Sequence, residues 1–479
     1  MNFSVIRYVC GWLLLVVAAF LALPGLVALY FHEEAGFALL WTILAAAAVG
    51  LGLIIKKPKN KVFYAAEGFA TVAISWLLIS VIGAIPFVIS GAIPRFVDAF
   101  FETVSGFTTT GASILDDVES MPKCLLFWRS LTHWIGGMGV LVFILCLLPL
   151  TGGSNMNIMK AESPGPSVSR LVPKVQSTAK ILYAIYIALT GAELILLVAF
   201  GMRLFDAVTL TFGTAGTGGF GVLNTSIASY TTAQQTIITV FMILFGVNFN
   251  AYFFIISKKI SAAFKNEEVI AYFAIIAGAV LVITLNTVHM YENVRMAIHH
   301  NAFTVASLIT TTGYSTVDFD KWPALSKTVA VFLMMCGACA GSTGGGLKVS
   351  RLLLLAKTAR KELKRSLHPD IVWKVKLDGK VVEHSVERSL NTYMVIYAMI
   401  FLASLFVISI EGYDMVTNFT AVAATINNIG PGLSLVGPTC NFAFFSDLSK
   451  YVLCFDMLAG RLELLPVVLM FVPATWKKF

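Results

Sequence analysis

Long apolar stretches alternate with short polar segments along almost the whole chain. Residues 5–31 and 36–55 are nearly uninterrupted apolar runs. The first run is longer than the apolar region of a signal peptide, so the pattern predicts two retained transmembrane helices. These helices form the first predicted segment, residues 1–61, which ends in a cationic block that begins at Lys56.

The rest of the chain repeats one hydrophobic pattern four times. Each unit has a membrane-length outer helix, an apolar helix of about ten residues, a glycine-containing strand and an inner helix. The short helices cannot span a bilayer, and irregular backbone at membrane depth must be buried in protein or line an aqueous path. The pattern predicts an all-α integral membrane protein of four tandem helix–pore-helix–filter–helix repeats in pseudo-fourfold symmetry, at residues 62–176, 177–267, 268–389 and 390–479, plus the two N-terminal helices.

The apolar periods also predict the bounds of the helices. Asp98, Asp206 and Asp414 precede the short pore helices as candidate N-caps. The opposite ends carry the negative pole of the helix dipole, which favours a cation at mid-membrane. The predicted outer, pore and inner helices are 67–90, 98–107 and 123–150, then 179–201, 206–215 and 232–257, then 269–285, 295–309 and 327–364, and finally 390–410, 414–426 and 449–472.

The strand after each pore helix is a variant of one motif. The first copy reads Ser-Gly-Phe-Thr-Thr-Thr-Gly-Ala-Ser at 105–113, and the others lie at 213–221, 307–315 and 424–432. Their central glycines, 108, 94 and 117 residues apart, fall in register. We call them the marker glycines: Gly111, Gly219, Gly313 and Gly430.

Glycine permits backbone angles that align successive carbonyl groups. Four such strands around one axis would form a ring of oxygens able to replace the water shell of a monovalent cation. The predicted filter contains Thr109, Thr110, Gly111, Ala112, Thr217, Gly218, Gly219, Phe220, Thr311, Thr312, Gly313, Tyr314, Asn428, Ile429, Gly430 and Pro431. The predicted potassium ligands among them are Thr110, Gly111, Gly218, Gly219, Thr312, Gly313, Asn428 and Ile429.

Two features predict a gate. The third inner helix contains too many glycines to be continuous, because each costs about 1 kcal/mol relative to alanine. We expect a loop across the pore made by Gly341, Ser342, Thr343, Gly344, Gly345 and Gly346; the alternative is close helix packing through small residues.

Arg461 lies inside the last apolar span, where an unsatisfied cation costs at least about 2.5 kcal/mol. We expect it to donate to loop carbonyls and to act as an electrostatic barrier. A structural pair with Glu463, or a position near the membrane interface, is the alternative.

Composition agrees with a membrane protein. The chain is 58% hydrophobic and only 13% charged, which excludes an ordinary soluble domain. Its net charge of +8 comes from basic residues concentrated in alternate connections, so these connections and both termini are predicted to be cytoplasmic. The connection at 357–388 contains an alternating segment around Asp378-Gly379, which predicts a β-hairpin. It is either a solvated connector or a docking surface for a cytosolic subunit.

Nothing in the sequence favours an enzyme. No catalytic residues are predicted: His133 beside Trp134 suits helix packing, and Glu102 has no second carboxylate near it in the sequence. Potassium is the one expected ion, and no organic cofactor is expected in this chain.

The four filter strands, the broken helix at Gly344 to Gly346 and the segment from Met457 to Glu463 together resemble the Trk/Ktr/HKT superfamily of potassium transport proteins. The resemblance covers nearly the whole chain and implies a homodimer in the bacterial inner membrane. It also implies gating by a cytosolic ring subunit of the TrkA type, which would bind the regulatory nucleotide. The intact marker glycines favour potassium, with a sodium-permeable member of the superfamily as the nearer alternative and a polytopic enzyme as the remote one. The motif of the first strand changes at two places, at Gly218 in the second strand and at Asn428-Ile429 in the fourth. The resemblance therefore does not determine how these two strands coordinate the ion.

Overall fold

The computed structural model describes residues 2–58, 65–139, 175–369 and 373–476. The N-terminal pair consists of α1 (Phe3–Phe31) and α2 (Gly36–Ile54). The two helices approach closely where Gly11 faces Gly50: a Cβ on either glycine would lie 3.0 Å from the other's carbonyl oxygen. Small residues permit this kind of helix contact in membranes.

The described helices follow the predicted order of outer, pore and inner helix, which is consistent with the four predicted repeats. Their helices are α3 (Ala65–Ile89), α4 (Phe96–Phe107) and α5 (Lys123–Gly137); α6 (Val175–Ala199), α7 (Leu204–Gly216), α8 (Thr232–Gly246), α9 (Phe249–Ile256) and α10 (Ile260–Phe264); α11 (Glu267–Thr287), α12 (Val294–Ile309), α13 (Ala324–Cys336) and α14 (Val349–Leu367); and α15 (His384–Ser409), α16 (Met415–Ile426), α17 (Asp447–Arg461), α18 (Leu465–Met470) and α19 (Pro473–Trp476). Short 3₁₀ turns lie at Val288–Met290, Phe319–Lys321 and Ser434–Val436.

Within the described ranges, six helices are long and apolar enough to cross a membrane, and the pair α8 and α9 makes a seventh if counted as one span. The chain is therefore a multi-pass membrane protein, and its described residues are mostly helical. The pore helices α4, α7, α12 and α16 lie inside, and almost all residues of their last two turns are buried.

The inner helices are more broken than the sequence predicts. The break in the third is confirmed, but continuous helices over 232–257 and 449–472 are wrong. A 90° bend separates α8 from α9, where Asn248 caps the new helix through Asn250 N–H. Glu463 and Leu464 adopt left-handed angles after α17, and Pro466 opens α18. The first inner helix ends at Gly137; its predicted continuation over 140–150 lies outside the described residues, as do the basic residues Lys160, Arg170, Lys174, Lys477 and Lys478.

Two of the three predicted N-caps are wrong. Asp414 caps α16 by accepting from Thr417 N–H at 3.0 Å. Asp98 and Asp206 instead lie in the first turn, because α4 and α7 begin two residues before them. A carboxylate there still complements the positive end of the helix dipole. Lys450 Nζ, 2% exposed, donates to Asp98 Oδ1 at 2.6 Å.

The predicted hairpin is confirmed as β1 (Lys376–Leu377) paired antiparallel with β2 (Lys380–Val381). Asp378 and Gly379 form the turn with positive φ angles, as a two-residue hairpin requires. The Asp378 carboxylate accepts from Glu267 N–H at 2.8 Å and from Asn266 Nδ2 at 2.9 Å. The hairpin is thus anchored to the N-terminus of α11.

Candidate ion filter and gate

Each pore helix ends in the same backbone motif. The second residue before the marker glycine takes a left-handed conformation with φ between 54° and 59°. The next N–H then bonds back five residues at 2.8 Å in every repeat, the pattern of a Schellman helix end. The left-handed residues are Thr109, Thr217, Thr311 and Asn428. Left-handed angles cost a non-glycine residue roughly 1–2 kcal/mol, so four repeats maintain one strained geometry.

The marker glycines bring the four strands into a closed ring. All four have φ between 78° and 95°, which side chains disfavour. Each also abuts a carbonyl oxygen of the next strand in order, as the distances from a Cβ built on each glycine show: Gly111 to Gly218 O 2.0 Å, Gly219 to Thr312 O 2.0 Å, Gly313 to Ile429 O 2.2 Å, and Gly430 to Thr110 O 2.7 Å. The last contact closes a ring made by the four marker glycines and the carbonyl groups that they abut.

Buried polar side chains of the first, third and fourth strands form hydrogen bonds within the protein. Thr110 Oγ1 lies 2.8 Å from Thr108 Oγ1, and Thr312 Oγ1 lies 2.7 Å from Thr310 Oγ1. In the fourth strand, Asn428 Nδ2 donates to Thr110 Oγ1 at 3.0 Å and to Met457 O at 2.8 Å. Asn428 therefore ties the fourth strand to the first.

A buried ion pair bonds to the backbone of both the first and the second strand segments. Arg129 Nε donates to Glu102 Oε1 at 2.5 Å, with side chains 4% and 0% exposed. Glu102 also accepts from Ile114 N–H at 3.0 Å, and Arg129 Nη1 donates to Gly221 O at 3.1 Å. The pair joins the segments after both marker glycines and satisfies its own charges, as a buried pair must. Sequence reasoning considered only a second carboxylate for Glu102 and missed this cation.

The glycine-rich segment 337–348 forms a loop between α13 and α14 and packs against two strands. Gly345 N–H donates to Thr311 Oγ1 at 2.7 Å. A Cβ on Gly344 would lie 2.9 Å from Thr310 O, and one on Gly345 would lie 2.6 Å from Asn427 O. The break thus excludes the alternative of a continuous packed helix, and the glycines permit direct backbone contact with the third and fourth strands.

Arg461 bonds to three separate parts of this region. It donates to the loop at Thr343 O at 2.8 Å, to Thr109 Oγ1 at 3.2 Å, and to Gly136 O and Gly137 O at 2.5 and 2.7 Å. Because the guanidinium carries five fixed donors, it can hold these acceptors together. Glu463, its alternative partner, forms an ion pair with Arg351.

Lys348 is a second loop cation that the sequence prediction missed. It is 1% exposed, and its Nζ donates to Gly344 O and, at 3.0 Å, to Gly345 O. As the residue before α14, Lys348 connects that helix directly to the loop. The sequence signal was a lysine two positions after three consecutive glycines.

The TrkH family model, described as a cation transport protein, matches residues 35–478. The chain is 35% identical over 486 residues to the Trk system potassium uptake protein TrkH of Escherichia coli K12, with both chains covered completely. It is 32% identical over 480 residues to TrkG of the same organism, covering 99% of this chain and 98% of TrkG.

The fold agrees with these sequence matches. The crystal structure of the potassium transporter TrkH from Vibrio parahaemolyticus superimposes with a TM-score of 0.89 at 31% identity, covering 100% of both chains. These relatives are potassium transport proteins, which confirms the prediction that the chain is not an enzyme. The chain belongs to the TrkH family of cation transport proteins.

Proposed function

We propose that this chain mediates potassium uptake across the bacterial inner membrane through the ring of strands. The proposal rests on the ring in which each marker glycine, from Gly111 to Gly430, contacts a carbonyl oxygen of the next strand. Relatives along the whole chain are potassium uptake proteins by name. Carbonyl oxygens in a ring suit a monovalent cation, because they replace its hydration shell without a fixed negative charge.

The ligands in this proposal are backbone carbonyls of the eight predicted positions. Four of these carbonyl groups are the ones that the marker glycines abut: those of Thr110, Gly218, Thr312 and Ile429. The other four continue the ion path along the strands and belong to Gly111, Gly219, Gly313 and Asn428. A glycine at every marker position favours potassium. A sodium-permeable transporter of the same superfamily is the competing function.

The proposed gate consists of the loop at 341–346 together with Arg461. The loop reaches the filter through the bond from Gly345 to Thr311, and Arg461 bonds to both the loop and Thr109. A cation held beside the pore would oppose the passage of another cation. Opening then requires α14 to draw the loop away, and Lys348 would transmit that movement.

We further propose a homodimer with both termini in the cytoplasm, regulated by a nucleotide-binding subunit of the TrkA type. The support is the basic connection at 357–388, in which Lys364 Nζ lies 3.7 Å from the Trp373 ring centroid. The hairpin and α14 offer such a subunit a surface continuous with the gate. The repeat boundaries 62–176, 177–267, 268–389 and 390–479 belong to the same proposal.

Rubidium tracer uptake into liposomes containing the purified chain tests the transport function. We expect protein-dependent uptake that potassium inhibits much more strongly than sodium does. Equal inhibition by the two ions would favour the sodium-permeable alternative. If uptake were absent even after a TrkA-type subunit and nucleotide were added, the transport proposal would fail.

A further inference from the structure

The second filter strand lacks two side chains that the first and third strands share. Those strands carry a threonine pair, Thr108 with Thr110 and Thr310 with Thr312, joined by hydroxyl contacts of 2.8 and 2.7 Å. The corresponding positions of the second strand are Gly216 and Gly218. Something else must fill the space beside this strand if the four strands are to keep equivalent positions.

His133 of α5 occupies both spaces. A Cβ on Gly216 would lie 2.2 Å from His133 O, and a Cβ on Gly218 would lie 2.1 Å from His133 Nδ1. For Gly218, the three nearest atoms all belong to the imidazole. A single residue from the inner helix therefore takes the place of the pair that the other strands provide themselves.

The imidazole is held in this place from its other side. His133 is fully buried, and its ring stacks on Phe220 with centroids 4.1 Å apart and an interplanar angle of 21°. Phe220 follows the marker glycine of the same strand, so His133 contacts the strand on both sides of Gly219. Arg129, one turn earlier on α5, faces the Phe220 ring at 3.6 Å.

Packing alone does not explain why this residue is a histidine. Neither ring nitrogen has a hydrogen-bond partner among the described residues. Unpaired buried polar atoms are costly, so an apolar residue would serve a simple packing role better. The nitrogens instead give the second strand a polar neighbour, as the threonine hydroxyls do for the first and third strands.

We propose that His133 is a positioning residue of the filter, which sets the place of the second strand and thereby contributes to cation discrimination. This inference rests on the proposed filter function. It predicts that His133 and Gly218 form a complementary pair: a side chain at 218 is excluded by the imidazole and becomes acceptable when the imidazole is removed.

The experiment compares full-length wild type with His133→Ala, Gly218→Thr and the double variant, using rubidium uptake inhibited by potassium or sodium. We expect His133→Ala to lower the potassium preference about tenfold, a range typical of small misfits in a selective site. Gly218→Thr alone should abolish flux or the yield of folded protein. The double variant changes the second strand to Thr-Thr-Gly, as in strands one and three, and should recover most of the preference.

Two results would overturn the inference: an unchanged preference in folded His133→Ala, or a double variant no better than the poorer single variant. The second comparison applies even if His133→Ala does not fold. His299→Ala is the control, because His299 Nε2 lies 2.8 Å from Gln235 Oε1 and contacts no filter strand in this account. The potassium preference of this variant should equal that of wild type. A wild-type protein that takes up rubidium without preferring potassium would refute the filter function itself, a distinguishable outcome.

Discussion

Replacing a marker glycine by serine should widen the filter. In Gly111→Ser the new Cβ would lie 2.0 Å from Gly218 O, whereas real Cβ contacts are essentially never closer than 3.0 Å. The contacted atom is backbone, so it cannot turn aside as a flexible side chain could. The two strands must separate by about 1 Å, and a close-packed interior transmits such a shift to its neighbours.

The substitution imposes two costs on the folded protein. A side chain at φ +80° costs roughly 1–2 kcal/mol by backbone strain, and the contact adds a further cost. These costs change the ion preference through the strand displacement that relieves them, and a displacement that removes about 1.4 kcal/mol of discrimination lowers the preference tenfold. We therefore expect Gly111→Ser to reduce the potassium over sodium preference about tenfold or more. Gly430→Ser should be milder, because its nearest oxygen is 2.7 Å away.

Gly412→Ser provides the matched control for the strain alone. Gly412 has φ +82°, but a Cβ there would meet nothing within 4 Å. Inhibition of rubidium uptake by potassium and by sodium measures the preference in each folded variant. The reasoning would be refuted if Gly111→Ser kept the wild-type preference, or if Gly412→Ser lost as much.

Three further perturbations test other parts of the account. Arg461→Ala removes the donors to Thr343 and Gly136, so basal rubidium flux should rise; flux at or below wild type in folded protein would remove Arg461 from the gate. Glu33 caps α5, because its carboxylate accepts from Lys123 N–H at 2.8 Å and from Cys124 N–H at 2.9 Å, the first two N–H groups of that helix. Glu33→Gln removes the charge, so thermal unfolding should show a loss of about 1 kcal/mol, and an unchanged Tm would contradict this cap. Hydrogen bonds from Thr417 lower the pKa of Asp414, so its stabilisation is complete at neutral pH and is lost as the carboxyl protonates below about pH 4. Asp414→Ala should therefore be less stable than wild type at pH 7, with the difference shrinking in acid; a constant difference would argue against the charged cap.

The repeat pattern of the sequence was sufficient to predict the order of the elements and the register of the marker glycines. Both are local properties: apolar length predicts a helix, and the glycine that recurs in each copy of the motif predicts a special backbone angle. The break before Gly344 and the turn at Asp378 follow from the same local chemistry. For this reason the order of the described helices agrees with the predicted order.

Contacts between distant segments could not be predicted in this way. Glu102 and Arg129 lie on different helices, and nothing local shows that they meet behind the filter. At the break near Asn248, Phe249 N–H donates at 3.0 Å to Gly341 O of the glycine-rich loop. After the break at Glu463, that carboxylate forms an ion pair with Arg351 of another helix. The contacts of His133 with Gly216 and Gly218 likewise join two distant segments, so no local pattern predicts them.

We propose that the four backbone strands bind potassium between them. Anomalous scattering from crystals of this protein soaked in rubidium tests it most directly, because each bound ion is located independently of transport. The account predicts ordered rubidium between the strands, shared by the carbonyl oxygens of Thr110, Gly218, Thr312 and Ile429. Rubidium bound only to surface carboxylates, with none between the strands under conditions that support transport, would contradict this proposed ion site.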